Sequence, residues 1–353
     1  MNTLKEKNYI SIINDNRNSI MGFAILWIVF FHSDVVFSIP LIKLFKSIGY
    51  GGVDIFFFLS GIGIYFSLMK DPRPVSFYKK RCLRILPLFV PIIILFYILI
   101  AFTMNWSFSS AIEFTQGLIG NMLFFGSFIG LKYQFLWFIS ALMCFYLISP
   151  PLYHLSKSIN ENRINLSFVL LIIVLFQIPF LFNDYDLLML ISRFPIYFLG
   201  MLVASISQNP KKHINQWLTI VLMLIGWIIL GLMLISPDEY HSLFFEQLGM
   251  FWYPFILITP GLCWLLGIFF SLAKKQRATN YICCLFEFCG KNSLGICLVH
   301  ILINYFIIYS NISLSFWEAL VVMIVSVLLG ILYDRTVNYI VKKVKKNMSS
   351  STS

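Results

Sequence analysis

Charge is what this chain has least of. Only 12% of its 353 residues are Asp, Glu, Lys or Arg, about half the share found in a soluble domain. A water-facing globular surface cannot be assembled from so few. Acidic residues are the scarcer sign, 15 against 26 basic, for a net charge of +11. That excess does not indicate nucleic acid, because there is no polar face on which a basic stripe would sit. Long polar stretches are missing too, which excludes a disordered chain and a charged coiled coil. No internal repeat is visible, so the inverted-repeat plan of many transporters finds no support. Cysteine is absent from the segments that the topology below places outside, so no disulfide framework is expected. The seven are Cys82, Cys144, Cys263, Cys283, Cys284, Cys289 and Cys297. Three of them, Cys283, Cys284 and Cys289, cluster in what reads as one loop. A zinc site there needs a fourth ligand at suitable spacing, and small cysteines at a membrane edge are the plainer reading.

What the chain has is apolar surface. Hydrophobic residues make up 59%, with 37 Phe and 17 Tyr, and mean hydropathy is +0.85. The fold class expected is all-α, a polytopic membrane protein. Apolar runs place helices near 18–38, 48–69, 85–104, 134–154, 165–182, 187–207, 216–235, 250–273, 292–310 and 315–340. Ten spans of about 20 residues use some 200 positions. Only short loops remain, so residues 1–353 read as a single membrane domain. It would have a basic N-terminal segment (1–17) and a basic tail (341–353). The first apolar run is too long for a signal-peptide core and lacks a small-x-small cleavage site, so it reads as a retained helix. The stretch 107–131, rich in Ser, Gly and Asn, reads as re-entrant or surface-lying.

Ten spans put both termini on one side, and Lys and Arg decide which. With the termini inside, 22 of the 26 basic residues fall on internal segments. Only Lys43, Lys46 and Lys132 fall outside, and Arg193 lies within a span. Positive charge gathers on the cytoplasmic side of membrane proteins, so both ends are expected inside. The tail Lys342-Lys343-Val344-Lys345-Lys346 reads as an anchor to anionic lipid of the bilayer.

Ionisable groups within spans are costly and usually face a cavity or a partner. Counting residues from the expected span ends puts His32, Asp54 and Arg193 each about 9 Å below the outer face. Asp34 lies half a turn above His32. Such a set can do chemistry: a neutral imidazole takes a proton from a hydroxyl, a carboxylate orients it, and an Arg steadies an oxyanion. It can equally be an Asp54–Arg193 ion pair that locks helices together, or a proton relay in a transporter. The same counting puts His300 about 12 Å above the inner face, out of direct reach of the outer set and suited to helix packing. On the cytoplasmic side, the run Phe77–Pro87 carries Lys80, Arg81 and Arg84 at helical spacings that share a face. That face would grip a phosphate-bearing ligand or serve as a positive-inside anchor. Trp106, Trp137, Trp252 and Trp317, near the outer face, read as interfacial anchors or as stacking surfaces for a sugar.

At these residues the chain resembles the integral-membrane acyltransferase-3 family. Gly22–His32 resembles the family's apolar run ending in His. Gly51-Gly52-Val53-Asp54-Ile55-Phe56-Phe57-Phe58-Leu59-Ser60-Gly61 resembles its Gly-Val-Asp-Ile-Phe-Phe signature, and Phe77–Pro87 its basic block. Leu136-Trp137-Phe138-Ile139-Ser140 resembles its Trp-bearing block, and Arg193-Phe194-Pro195 with Gly200 its Arg-x-Pro block. Gly290-Lys291-Asn292-Ser293 with His300 resembles its late helix. Six blocks in order, over most of the chain, make a specific signal.

The resemblance implies a multi-pass enzyme of a bacterial cytoplasmic membrane. It would move an acyl group, usually acetyl, from cytosolic acetyl-CoA to a hydroxyl of a surface glycan. Acyl-CoA is then a substrate, no cofactor is held permanently, and nucleic acid is no partner. His32 is the implied catalytic residue, as base or transient acyl carrier, with Asp54 or Asp34 as its acid. Arg81 and Arg84 belong to the CoA side, and Lys80, on the same helix face, is expected to join them in docking acyl-CoA. Arg193, Trp137 and Ser140 belong to the acceptor side, with His300 in support. Many members carry Arg eleven residues before the histidine. Here Met21 stands there, and Arg17, one turn earlier, is the candidate replacement. Many also carry Glu in the fourth block, where this chain reads Ser140-Ala141-Leu142. Some members append an extracellular esterase-like domain; this chain ends at Ser353 without one, so transfer is expected within the membrane domain. The rival reading is a transporter or flippase that uses the same buried charges.

Overall fold

The computed structural model describes residues 8–103, 111–124, 137–177, 189–235 and 252–350. Among them every regular element is helical. Lipid offers no partner for a backbone N–H or C=O, so a helix is how an apolar run satisfies both internally. In order the helices are α1 (Tyr9–Asp15), α2 (Arg17–His32), α3 (Pro40–Ser47), α4 (Gly52–Lys70), α5 (Pro74–Thr103), α6 (Ala111–Met122), α7 (Trp137–Asn160), α8 (Leu166–Gln177), α9 (Phe194–Ser207), α10 (Gln216–Leu234), α11 (Pro254–Ala273), α12 (Arg277–Lys291), α13 (Ser293–Tyr309) and α14 (Phe316–Ser350). Seven stretches among the described residues are long and apolar enough to cross a membrane. An eighth is counted if α12 and α13, bent by 74° at their junction, form one broken span. The ten expected from sequence add α2, with 16 residues, and α8, with 12 described.

Helix α4 is the axle of the bundle. Twelve of its nineteen residues are buried. Helix α10, by contrast, buries only Met223, Gly226 and Leu230 and leaves Leu224, Ile228 and Leu232 exposed. An apolar exposed stripe of that kind belongs against lipid tails.

Two helix crossings position everything that follows. At the first, a Cβ on Gly61 would lie 2.1 Å from the Tyr197 carbonyl oxygen, and one on Gly200 would lie 2.2 Å from that of Phe58. Only glycine lets α4 and α9 approach so closely, and small residues at such crossings replace the hydrophobic drive that lipid does not supply. At the second, a Cβ on Gly22 or Gly290 would lie 1.8 Å from the Phe286 or Asn18 carbonyl oxygen. This seats the end of α12 beside the first turns of α2. Helix α13 therefore starts beside Asn18–Gly22, the first turns of α2.

Elsewhere a side chain repairs the backbone. Pro151, inside α7, has no N–H for the Leu147 carbonyl one turn back. Tyr78 of α5 donates its hydroxyl to that carbonyl at 2.7 Å, which ties α5 to α7.

Two sequence expectations change here. Phe77–Pro87 lies wholly within α5, which begins at Pro74, so the basic residues sit on a helix from the start. Cys283, Cys284 and Cys289 lie on α12 rather than in a loop, because Asn280–Gly290 continues at helical periodicity up to the break at Asn292. Of the stretch 107–131, residues 111–124 are described, and α6 packs on α5 through Asn121, whose amide donates to the Tyr97 hydroxyl at 2.8 Å. The rest of that stretch, and Trp106, lie outside the described residues.

Candidate active site

Among the described residues, one continuous cavity of about 770 Å³ runs through the middle of the bundle. Arg17, Arg81 and Arg84 line it, and so do His32, His300, Trp137, Arg193 and Trp252. Arg17 and His32 are the two ends of α2, fifteen residues apart, so the cavity follows that helix for about 22 Å. Between the ends its wall is largely apolar, with Met21, Ile28, Phe56, Ile64 and Leu142 among the lining residues.

The arginine end is built from three helices. Arg17 opens α2 and donates from Nη1 to the Leu59 carbonyl at 2.7 Å. A Cβ on Gly63 would lie 2.9 Å from its guanidinium, so the missing side chain makes room for it. Arg17 is within Coulombic reach of Arg81 and Arg84. Arg81 donates to the Ser67 hydroxyl at 2.8 Å and lies over the rings of Phe77 and Tyr146, 5.3 and 5.7 Å from their centroids. Its Nε is buried with no hydrogen-bond partner among the described residues. Lys80 is not part of this end. It is exposed and pairs with Asp71 at 3.0 Å. Asp71 also accepts from Arg73 and Ser76, and these three donors hold its carboxyl well below the usual carboxylate range. The helical spacing that groups Lys80 with Arg84 is real, but Asp71, at the end of α4, takes the ammonium away.

The histidine end lies where α2 stops. The expected span 18–38 ends as a helix at His32, and Ser33 is already extended. His32 is exposed to the cavity, whereas His300 of α13 is 1% exposed. The two rings meet: His300 Nε2 lies 3.4 Å from His32 Nδ1. This overturns the inner-half placement of His300. Residue counting measured the two histidines from opposite faces on separate spans and had no offset between them; the close crossing of α12 on α2 and the 74° bend before α13 set that offset. His32 Nδ1 also lies 3.1 Å from the Ile28 carbonyl oxygen.

Neither expected acid touches His32. Asp54, in the first turn of α4, pairs with Arg193 Nε at 3.5 Å, and both side chains are 1% exposed. The Arg193 guanidinium lies over two indoles, 4.9 Å from the ring of Trp252 and 5.8 Å from that of Trp137, a cation–π arrangement. Asp34 lines a separate, much smaller pocket behind His300, with Ser33, Asn304 and Ser326. Ser140 is buried but absent from the cavity wall. Phe138 and Leu142, four apart on α7, present the cavity face, and a residue midway between them points the other way. Trp252, read as an interfacial anchor, is 3% exposed in the cavity wall, while Trp317 is 72% exposed, as an anchor should be. Tyr50, Tyr146 and Tyr305 also line the cavity. No local sequence signal marks them, because an aromatic on an apolar helix looks the same facing lipid or cavity.

A family model described as an acyltransferase domain matches residues 19–335, a stretch that contains every cavity-lining residue named above except Arg17. No curated protein and no solved structure gave a match.

Proposed function

This chain belongs to the acyltransferase-3 family of membrane acyltransferases, and from that premise we propose that it transfers an acetyl group from cytosolic acetyl-CoA to a hydroxyl of a surface glycan or its lipid-linked precursor outside the membrane. The observation that carries the reading is the continuous cavity with arginines at one end and histidines at the other. The donor has the same polarity: an anionic diphosphate head, a long uncharged pantetheine arm and a thioester at its tip. Arg17, Arg81 and Arg84 hold the phosphates by charge-assisted hydrogen bonds. The apolar wall takes the arm, and the thioester arrives at His32. The positive-inside distribution of Lys and Arg supports a cytosolic arginine end.

His32 then takes the proton of the acceptor hydroxyl as that oxygen bonds to the thioester carbonyl carbon. The carbon–sulfur bond breaks, and the leaving thiolate takes the proton from the imidazolium. Ester and CoA thiol are formed, with no net gain or loss of protons. Trp137, Arg193 and Trp252 line the wall that an acceptor sugar would meet.

The test is mass spectrometry of surface glycans from cells with the wild-type gene, with a deletion, and with His32→Ala at matched membrane levels. Loss of an acyl ester in both altered strains is the expected result, and the glycan fragment then identifies the acceptor. An unchanged glycan with a lipid-linked precursor building up inside would replace this reading with a transporter.

A further inference from the structure

The carbonyl groups around the two histidines determine where their protons sit. His300 Nδ1 lies 2.8 Å from the Ile296 carbonyl oxygen. A carbonyl oxygen only accepts, so this nitrogen carries a hydrogen. A neutral imidazole has one N–H, which makes His300 Nε2 an acceptor. The atom it faces is His32 Nδ1 at 3.4 Å, so His32 Nδ1 is the donor. The Ile28 carbonyl oxygen, 3.1 Å from the same nitrogen, requires the same proton position. His32 Nε2 is left with its lone pair, and among the described residues nothing is hydrogen-bonded to it.

We infer that His300 is the positioning partner of His32: it sets the tautomer that presents Nε2 as the reacting nitrogen and takes the orienting role that a carboxylate plays in hydrolytic triads. The inference rests on the acyl-transfer reading for its consequence, but not for its geometry. An apolar setting explains the choice of partner. A carboxylate buried in a membrane span is costly unless a cation sits beside it, and Asp54 already faces Arg193. A neutral imidazole accepts the same hydrogen bond with no formal charge to bury. When His32 takes the hydroxyl proton, its Nδ1–H becomes the donor of an imidazolium, and the bond to His300 strengthens. Hydrogen bonds of this kind are often long in the ligand-free enzyme and tighten as the reaction proceeds. The difference in exposure fits the division of roles: His32 opens on the cavity and His300 is enclosed.

Two measurements test this on the full-length protein in nanodiscs. The first is NMR of 15N-histidine-labelled protein, assigned with His32→Ala and His300→Ala. Nitrogen shifts separate the two tautomers. The expected result is a proton on Nδ1 of both rings, and a proton on Nε2 of His32 overturns the inference whether or not the protein transfers acyl groups. The second compares His300→Leu with His300→Gln, whose amide oxygen can stand near the former Nε2. His300→Leu is expected to lower kcat at least about tenfold with KM for acetyl-CoA unchanged, and His300→Gln to recover part of it. Full activity in the leucine variant overturns the inference. So does equal loss in both variants with a matching fall in Tm, which would make His300 a packing residue only. If the wild-type protein transfers no acyl group, the acyl-transfer reading fails by itself, and the nitrogen shifts still decide the pair.

Discussion

Two polar pairs are built into the bundle, and they differ in access. Asp54 and Arg193 face each other at 3.5 Å with both side chains 1% exposed. His32 and His300 face each other at 3.4 Å, with one ring buried and the other open to a cavity of about 770 Å³. Both pairs bring together residues far apart in the chain, and both lie where helices start, end or cross. The difference separates architecture from chemistry. Arg193 reaches the cavity wall, but it is committed to a carboxylate buried behind it, so this pair can hold helices in register, and a substrate that took the guanidinium would leave Asp54 without its cation. A pair with one open member keeps a fixed inner partner and leaves a free nitrogen.

The sharpest way to break this comparison is His32→Ala. Loss of the proposed base is expected to lower acyl transfer about 10²- to 10⁴-fold while Tm in detergent stays the same, as measured by an acetyl-CoA assay beside thermal unfolding. Arg193→Met is expected to do the reverse. Leaving Asp54 buried without its cation costs about 3–5 kcal/mol of stability, read as a fall in Tm, and adding Asp54→Leu should recover much of it. An unchanged Tm with a raised KM for the acceptor would make Arg193 a substrate ligand. At the other end of the cavity, Arg81→Ala removes a charged donor worth about 1.5–3 kcal/mol. KM for acetyl-CoA should rise about 10- to 100-fold with kcat little changed. Lys80→Ala should shift KM less than about twofold, since exposed ion pairs contribute little. Asp71 is held low by its three donors. Its link to Lys80 should therefore persist at mildly acidic pH and be lost only as pH falls through that depressed value, which side-chain NMR of Asp71 would follow.

Much of the helical inventory was legible in the sequence. Apolar runs bounded by Pro, Gly and Asn mark helices because the backbone must satisfy itself in lipid. Each of the ten runs overlaps a helix, but α5 begins eleven residues before its run, α14 extends ten beyond its own, α2 stops six residues short at His32, and α1, α3, α6 and α12 correspond to no run. Arg81 and Arg84 were readable from their spacing, and His32 from its place at the end of an apolar run. Other parts were not. Lys80 shares the helical spacing of Arg81 and Arg84 but is held by Asp71. Asp54 had two basic candidates at its own depth, and nothing local selects Arg193 over His32. Ser140 and Phe138 belong to the same block of sequence, and only the rotation of α7 shows which one faces the cavity.

His300 marks the boundary most clearly. The sequence by itself determined that it lies mid-helix in an apolar segment eight residues after Asn292, and that it therefore needs a partner. Its level within the bundle was decided by tertiary structure. That level depends on the 74° bend before α13 and on Gly22 and Gly290, whose bare backbones let α12 settle against α2. Hydropathy records how strongly each residue avoids water and is summed along the chain, so it finds helices. It carries no information about where one helix starts relative to another. That offset is set by side-chain volume at the crossings, and it brings a histidine from the end of α2 and another from the middle of α13 to within 3.4 Å.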